Sequence, residues 1–134
     1  MRVLLDTDIL SALMRSDPVA TEAARNYNAI YSQLSISIIT RYEILRGLKA
    51  KRAEVQAARF EIFCAHLQIL PLTDAVVMRA AEIYARLHQS GNLIGDADIL
   101  IAATAMESGF ALSTNNANHL ARIEGLTLEN WLQT

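Results

Sequence analysis

Three carboxylates far apart in the chain, Asp6, Glu43 and Asp98, each fall at the expected end of a structural element. Asp6 follows the apolar run Val3-Leu4-Leu5 at once, where a buried strand must end. A carboxylate there is costly to desolvate unless it is hydrogen-bonded or paired with a cation. Asp98 precedes the apolar residues Ile99 to Ala103 and so marks where a helix enters the core. Each acid also has a purely structural reading. Asp6 can be a cap, Glu43 can complete a capping box opened by Thr40, and Asp96 and Asp98 can be the cap and first-turn acid of one helix. Two residues apart on a helix, Asp96 and Asp98 do not face one small ion together, and Asp98 is the better ligand. Converging unit charges about 4 Å apart repel by about 4 kcal/mol per pair at an effective dielectric of about 20. Such a pocket needs a cation or it protonates. Oxygen-only ligands favour Mg²⁺ or Mn²⁺ over zinc, ions that activate water and clamp phosphate oxygens.

The elements that must position these acids follow from patterning. Val3–Leu5, Leu34–Ile38, Gln68–Leu72 and the run after Gly109 to Ser113 read as strands, with Leu126–Leu128 as a fifth. Asp8 or Ser11 can cap a short helix through Met14, and Asp17-Pro18 opens a helix to about Tyr31. Thr40 opens the next helix, in which Gly47 suggests close packing; Lys49 to Glu54 is a solvated bend or a continuing helix to His66. Thr73 or Asp74 caps a helix with Val77, Ala80, Ala81, Tyr84 and Leu87 on its apolar face. Gly95-Asp96 opens the most apolar helix, from Ala97 to about Glu107. Short strands alternating with longer helices imply an α/β class, an α/β/α sandwich around a short-stranded parallel sheet. Ligands of such sheets collect beyond the carboxyl ends of the strands.

Composition narrows the function. The 134 residues fit a single domain, 1–134, and 52% hydrophobic against 19% charged residues excludes disorder. A net charge of −2 excludes a uniformly basic nucleic-acid binder, and no apolar run approaches a membrane span. The N-terminus meets a carboxylate too early for a signal peptide, so a cytoplasmic protein is expected. One cysteine, Cys64, allows no internal disulfide and reads as a small core residue. His66, His88 and His119 are scattered without ligand spacing, no Gly-rich phosphate loop occurs, and Trp131, Tyr27, Tyr31 and Tyr84 read as packing residues. Residues 41–59 carry six basic and two acidic side chains, a patch for RNA phosphates or an ordinary solvated helix face. Arg46 shares a helix face with Glu43 and would border the acidic pocket, against a phosphate or a partner's carboxylate.

Leu5-Asp6-Thr7-Asp8-Ile9-Leu10-Ser11 resembles the opening of the PIN-domain ribonucleases, in particular the VapC-type toxins of bacterial toxin–antitoxin pairs. Ser37 to Gly47, Ile94 to Ala105 and Leu112-Ser113-Thr114-Asn115-Asn116 resemble the blocks that follow, and Ile123 to Trp131 the usual close. The resemblance spans the chain in order. It implies that Asp6, Glu43 and Asp98 surround a divalent cation, Mg²⁺ or Mn²⁺, with Asp96 and Asp8 as accessory acids and Thr114 supplying a hydroxyl. Asn116 stands where the wider family often carries aspartate, which speaks against a second cation position. It also implies metal-dependent RNA cleavage, a cognate antitoxin and a homodimer. Two alternatives stay open: a non-catalytic partner-binding or corepressor module with a degenerate acidic pocket, and a nuclease directed at DNA.

Overall fold

In the computed structural model, which describes residues 1–134, strands of two or three residues alternate with helices. The order is β1 (Val3–Leu5), α1 (Thr7–Met14), α2 (Pro18–Tyr31), β2 (Ser35–Ser37), α3 (Ile38–Ala50), α4 (Glu54–Cys64) and β3 (Gln68–Leu70). Then come α5 (Asp74–Gln89), α6 (Asp96–Ser108), β4 (Ala111–Ser113), α7 (Ala117–Leu120) and β5 (Leu128–Glu129). The strands form one parallel sheet in the order β3-β2-β1-β4-β5. Leu4 pairs with Ser35 on one side and Leu112 on the other, so β1 is the central strand.

Period-two alternation divides each strand between two cores. Val3, Leu5, Ile36 and Ala111 pack with Ile9, Tyr27, Phe60 and Trp131 under α1 to α4. Leu4 and Leu112 pack with Val76, Ile83, Ile101 and Ala102 under α5 and α6. The layers are those of an α/β/α sandwich, as expected. Cys64 is buried in the first core, and Tyr27 and Trp131 are packing residues whose rings lie 5.4 Å apart.

Several local expectations shift. Asp6 itself, not Asp8 or Ser11, caps α1. Ser37, not Thr40, caps α3, because β2 runs into the helix with no loop between them. Lys51 to Ala53 break the charged stretch into two helices, with Arg52 at φ 56°. A Cβ added at Gly47 would meet nothing within 4 Å, so close packing does not explain that glycine. Gly95, without a side chain to offer, is the cap of α6, which leaves Asp96 as its exposed first residue. On α5 the buried stripe is Val76, Ala80, Ile83 and Leu87, whereas Val77, Ala81 and Tyr84 face water. The fifth strand falls at Leu128–Glu129 rather than Leu126–Leu128.

Candidate active site

The chain builds outward from β1 to β2 and β3, then returns to place β4 on the opposite side of β1. Strand order reverses between β1 and β4, and the crevice beyond their carboxyl ends is where open parallel sheets bind ligands. Asp6 and Thr114 are the first residues past those two strands. Asp6 is 5% exposed. Its Oδ1 accepts from the Thr7 backbone N–H at 2.8 Å, and its Oδ2 from the Thr114 hydroxyl at 2.7 Å. Burial raises its pKa to about 6, with the charges of Asp8 and Asp98 pushing the same way and the two hydrogen bonds opposing.

Glu43 reaches this crevice because α3 starts early. The Ser37 Oγ accepts from the Ile39 and Thr40 amides, both at 3.1 Å, so the capping box of Thr40 and Glu43 does not form. Thr40 instead lies fully buried in the first turn, its hydroxyl 3.1 Å from that of Thr7. One turn on, Glu43 accepts from the Thr7 hydroxyl through Oε1 at 2.6 Å. Thr7 thus ties β1's end to α3. Nothing local in the sequence marks that contact, since its partners are 36 residues apart.

Asp98 and Asp8 close the other sides. The Asn116 carboxamide nitrogen lies 3.5 Å from Asp98 Oδ2, a long contact, and 3.2 Å from His119 Nδ1. The His119 imidazole, scattered in sequence from the other histidines, is therefore part of the rim. Asp8 Oδ2 accepts from the Asn115 N–H at 3.0 Å, while its Oδ1 is buried without a partner. Burial raises the pKa of both Asp8 and Asp98, and in each case the Glu43 charge adds to the rise. Asp6, Asp8, Glu43 and Asp98 thus act on one another within one electrostatic environment. Asp96 stands apart, exposed and without a polar partner.

These residues suit a hard divalent cation. The donor set is entirely oxygen, burial with neighbouring carboxylate charge adding to it raises the pKa values of Asp6, Asp8 and Asp98, and Asp8 presents a buried oxygen with nothing to accept from. The convergence is looser than expected, since no three His, Cys, Asp or Glu side chains stand in ready-made ligating geometry. Neutral donors from Thr7, Thr114 and Asn116 hold the carboxylates individually. Arg46 borders the pocket with its Nη2 3.6 Å from Glu43 Oε2. Arg41 does not belong to it, because its guanidinium grips both Glu61 oxygens, at 2.7 and 3.1 Å.

A family profile for the PIN domain matches residues 3–126. Ribonuclease VapC2 of Rickettsia felis is 31% identical over 132 residues, which cover 98% of each chain. The chain belongs to the PIN domain family, in its VapC ribonuclease branch. Within that branch it is 28% identical to the tRNA(fMet)-specific endonuclease VapC of Shigella flexneri, again over 98% of each chain. The fold of this PIN domain superposes on VapBC2 of Rickettsia felis, solved bound to a DNA fragment from their promoter, with a TM-score of 0.87 and 30% identity. That match covers 98% of this chain and 99% of the other.

Proposed function

We propose that this PIN domain is a divalent-metal-dependent endoribonuclease, the toxin of a toxin–antitoxin pair, acting in the cytoplasm with Mg²⁺ or Mn²⁺. The observation that carries the reading is the set of mutually acting carboxylates Asp6, Asp8, Glu43 and Asp98 at the sheet's switch point, Asp8 with an unpartnered buried oxygen. The ribonuclease and tRNA endonuclease names of its relatives support RNA as substrate. The fold's likeness to VapBC complexes supports an antitoxin partner. Self-association as a homodimer is supported by the apolar side chains α5 leaves in water, Val77 at 46%, Met78 at 60% and Tyr84 at 44% exposed. No helix is long and apolar enough to cross a membrane.

Asp6 and Asp98 would hold the cation, with Asp8 beside them. When bound, such an ion acidifies a water and offsets charge on the scissile phosphate. Glu43 has one oxygen fixed by the Thr7 hydroxyl and the other turned toward Arg46. That leaves Oε2 to orient the attacking water and accept its proton. Thr114 keeps Asp6 aligned, and Asn116 does the same for Asp98.

The test is digestion of RNA, transfer RNAs included, beside DNA of matched sequence, with Mg²⁺, with Mn²⁺ and with EDTA. RNA is expected to be cut only where a metal is supplied, and DNA to stay intact. No cleavage with either ion, or equal cleavage of DNA, would overturn the reading. Thr7→Val keeps the side chain's shape but removes the donor to Glu43. Its cleavage rate is expected to fall about 10- to 100-fold with the circular dichroism spectrum unchanged, the usual cost of losing a partner that orients a site carboxylate.

A further inference from the structure

In the nuclease reading the substrate is a polyanion, and the crevice that must receive it holds four carboxylates whose charges act on one another. Something cationic has to offset that approach. Among the salt bridges, only Glu43 of the four pocket acids takes part, and its partner is Arg46. The pairing is slack: at 3.6 Å, with the Arg46 side chain 57% exposed, the guanidinium can turn to a phosphate without vacating a buried contact. On its other side Arg46 lies over the ring of Tyr42, Cζ 5.2 Å from the centroid. Tyr42 is 58% exposed, so its ring has no packing role comparable to that of Tyr27 or Trp131. Arg46, one turn beyond the adjacent Tyr42 and Glu43, therefore touches both the carboxylate and the exposed aromatic ring. The spacing of Tyr42, Arg46 and Lys49 at i, i+4 and i+7 continues the stripe away from Glu43 with a second exposed cation.

Resting on the nuclease reading above, we propose that Tyr42 and Arg46 form a nucleotide-binding subsite, in which the Tyr42 ring stacks an unpaired RNA base and Arg46 holds an adjoining phosphate. Unpaired bases stack on aromatic and guanidinium planes with little regard to sequence, and cationic side chains track the backbone between them. The basic character of the surrounding segment, six cationic against two acidic residues from 41 to 59 with only Arg41 taken up by Glu61, suits a polyanionic strand. The subsite adds strand placement to the pocket: a base held on Tyr42 sets which phosphate lies opposite Glu43.

The test uses the full chain with a single-stranded RNA oligonucleotide carrying 2-aminopurine, whose fluorescence is quenched on stacking. In the active chain, Tyr42→Ala is expected to raise KM about tenfold, the loss of one base–aromatic stack, with kcat changed by less than about twofold. Tyr42→Phe, which keeps the ring and loses only the hydroxyl, is expected to restore most of the affinity. Arg46→Ala should weaken binding at low salt and reduce the salt slope of log Kd by about one phosphate contact. In an Asp6→Asn background, where binding is read without cleavage, RNA should still quench the probe, and the quench should vanish with Tyr42→Ala. A Tyr42→Ala chain that binds and cleaves RNA as its parent does overturns the subsite, and a loss of antitoxin affinity alongside that result assigns the ring to the protein interface. A Tyr42-dependent quench in a parent chain that, with Asp6 intact and Mg²⁺ or Mn²⁺ supplied, cleaves no RNA supports the subsite and overturns the nuclease reading instead.

Discussion

Asp6→Asn is expected to cost at least about a thousandfold in RNA cleavage and, in the same protein, to raise thermal stability at neutral pH. The activity loss follows from removing one charged oxygen ligand: about 4 kcal/mol of transition-state stabilisation is roughly a thousandfold in rate. The stability gain follows from the site's own electrostatics. The folded chain holds the Asp6 proton up to a pKa of about 6, against 3.8 for an ordinary aspartate, chiefly because the group is buried. An acid whose pKa is raised by folding contributes stability that is complete below the unfolded value and is lost as pH rises through the folded one. At pH 7.5 the ionised carboxylate therefore costs up to about 3 kcal/mol. Asparagine carries no charge to desolvate, its oxygen can still accept from the Thr7 amide, and the Thr114 hydroxyl can turn to meet its nitrogen. Measured in EDTA, the variant should melt roughly 5–10 °C above the parent at pH 7.5, and the gap should close near pH 4. Full cleavage by the variant, or a gap that does not change with pH, would contradict the scheme.

How far the site was legible depended on whether each residue's role is local. Asp6 could be singled out because an acid directly after a buried apolar run is costly to desolvate, although its capping of α1 is also a local role. Asp98 could be preferred to Asp96 from helix geometry, and Asp96 does stand exposed at α6's first position. Glu43 was clouded by a plausible capping box, since Thr40 and Glu43 have its spacing while Ser37 takes the cap. The decisive fact, a strand that runs into a helix without a loop, is a property of backbone direction that residue types do not encode. Thr7 escaped notice, and Thr40 was read only as a cap, for the same reason: the two meet, and Thr7 meets Glu43, across more than thirty residues of chain. Layering proved easier, because short strands with helices between them imply a parallel sheet covered on both faces, although the order of its strands was not read from the sequence. On α5, two apolar stripes overlap by one helical step, and only packing against α6 selects Val76 and Ile83 over Val77 and Tyr84.

Millimolar Mn²⁺ or Mg²⁺ is expected to raise the melting temperature of the parent chain strongly at pH 7.5 and far less at pH 5. Asp6, Asp8 and Asp98 all hold their protons above the ordinary carboxylate range, each chiefly through burial and each with a neighbouring carboxylate adding to it. In EDTA the sign is therefore that of Asp6 repeated: the chain loses stability as pH climbs through the raised pKa values of these groups, that of Asp6 lying at about 6. A cation that binds only the folded form reverses the loss, by about 2.7 kcal/mol at a hundred times its Kd. Because it must displace the same protons, its grip weakens as pH falls. Cation and proton thus compete for one set of oxygens, and the melting curves should converge at low pH whether or not metal is present. Asp96→Asn serves as the control: its carboxylate faces water outside the pocket, so the cation response should survive intact. Acids that merely cap helices would give no saturable response at either pH, and that result would leave Asp6, Asp8 and Asp98 as structural groups with no metal between them.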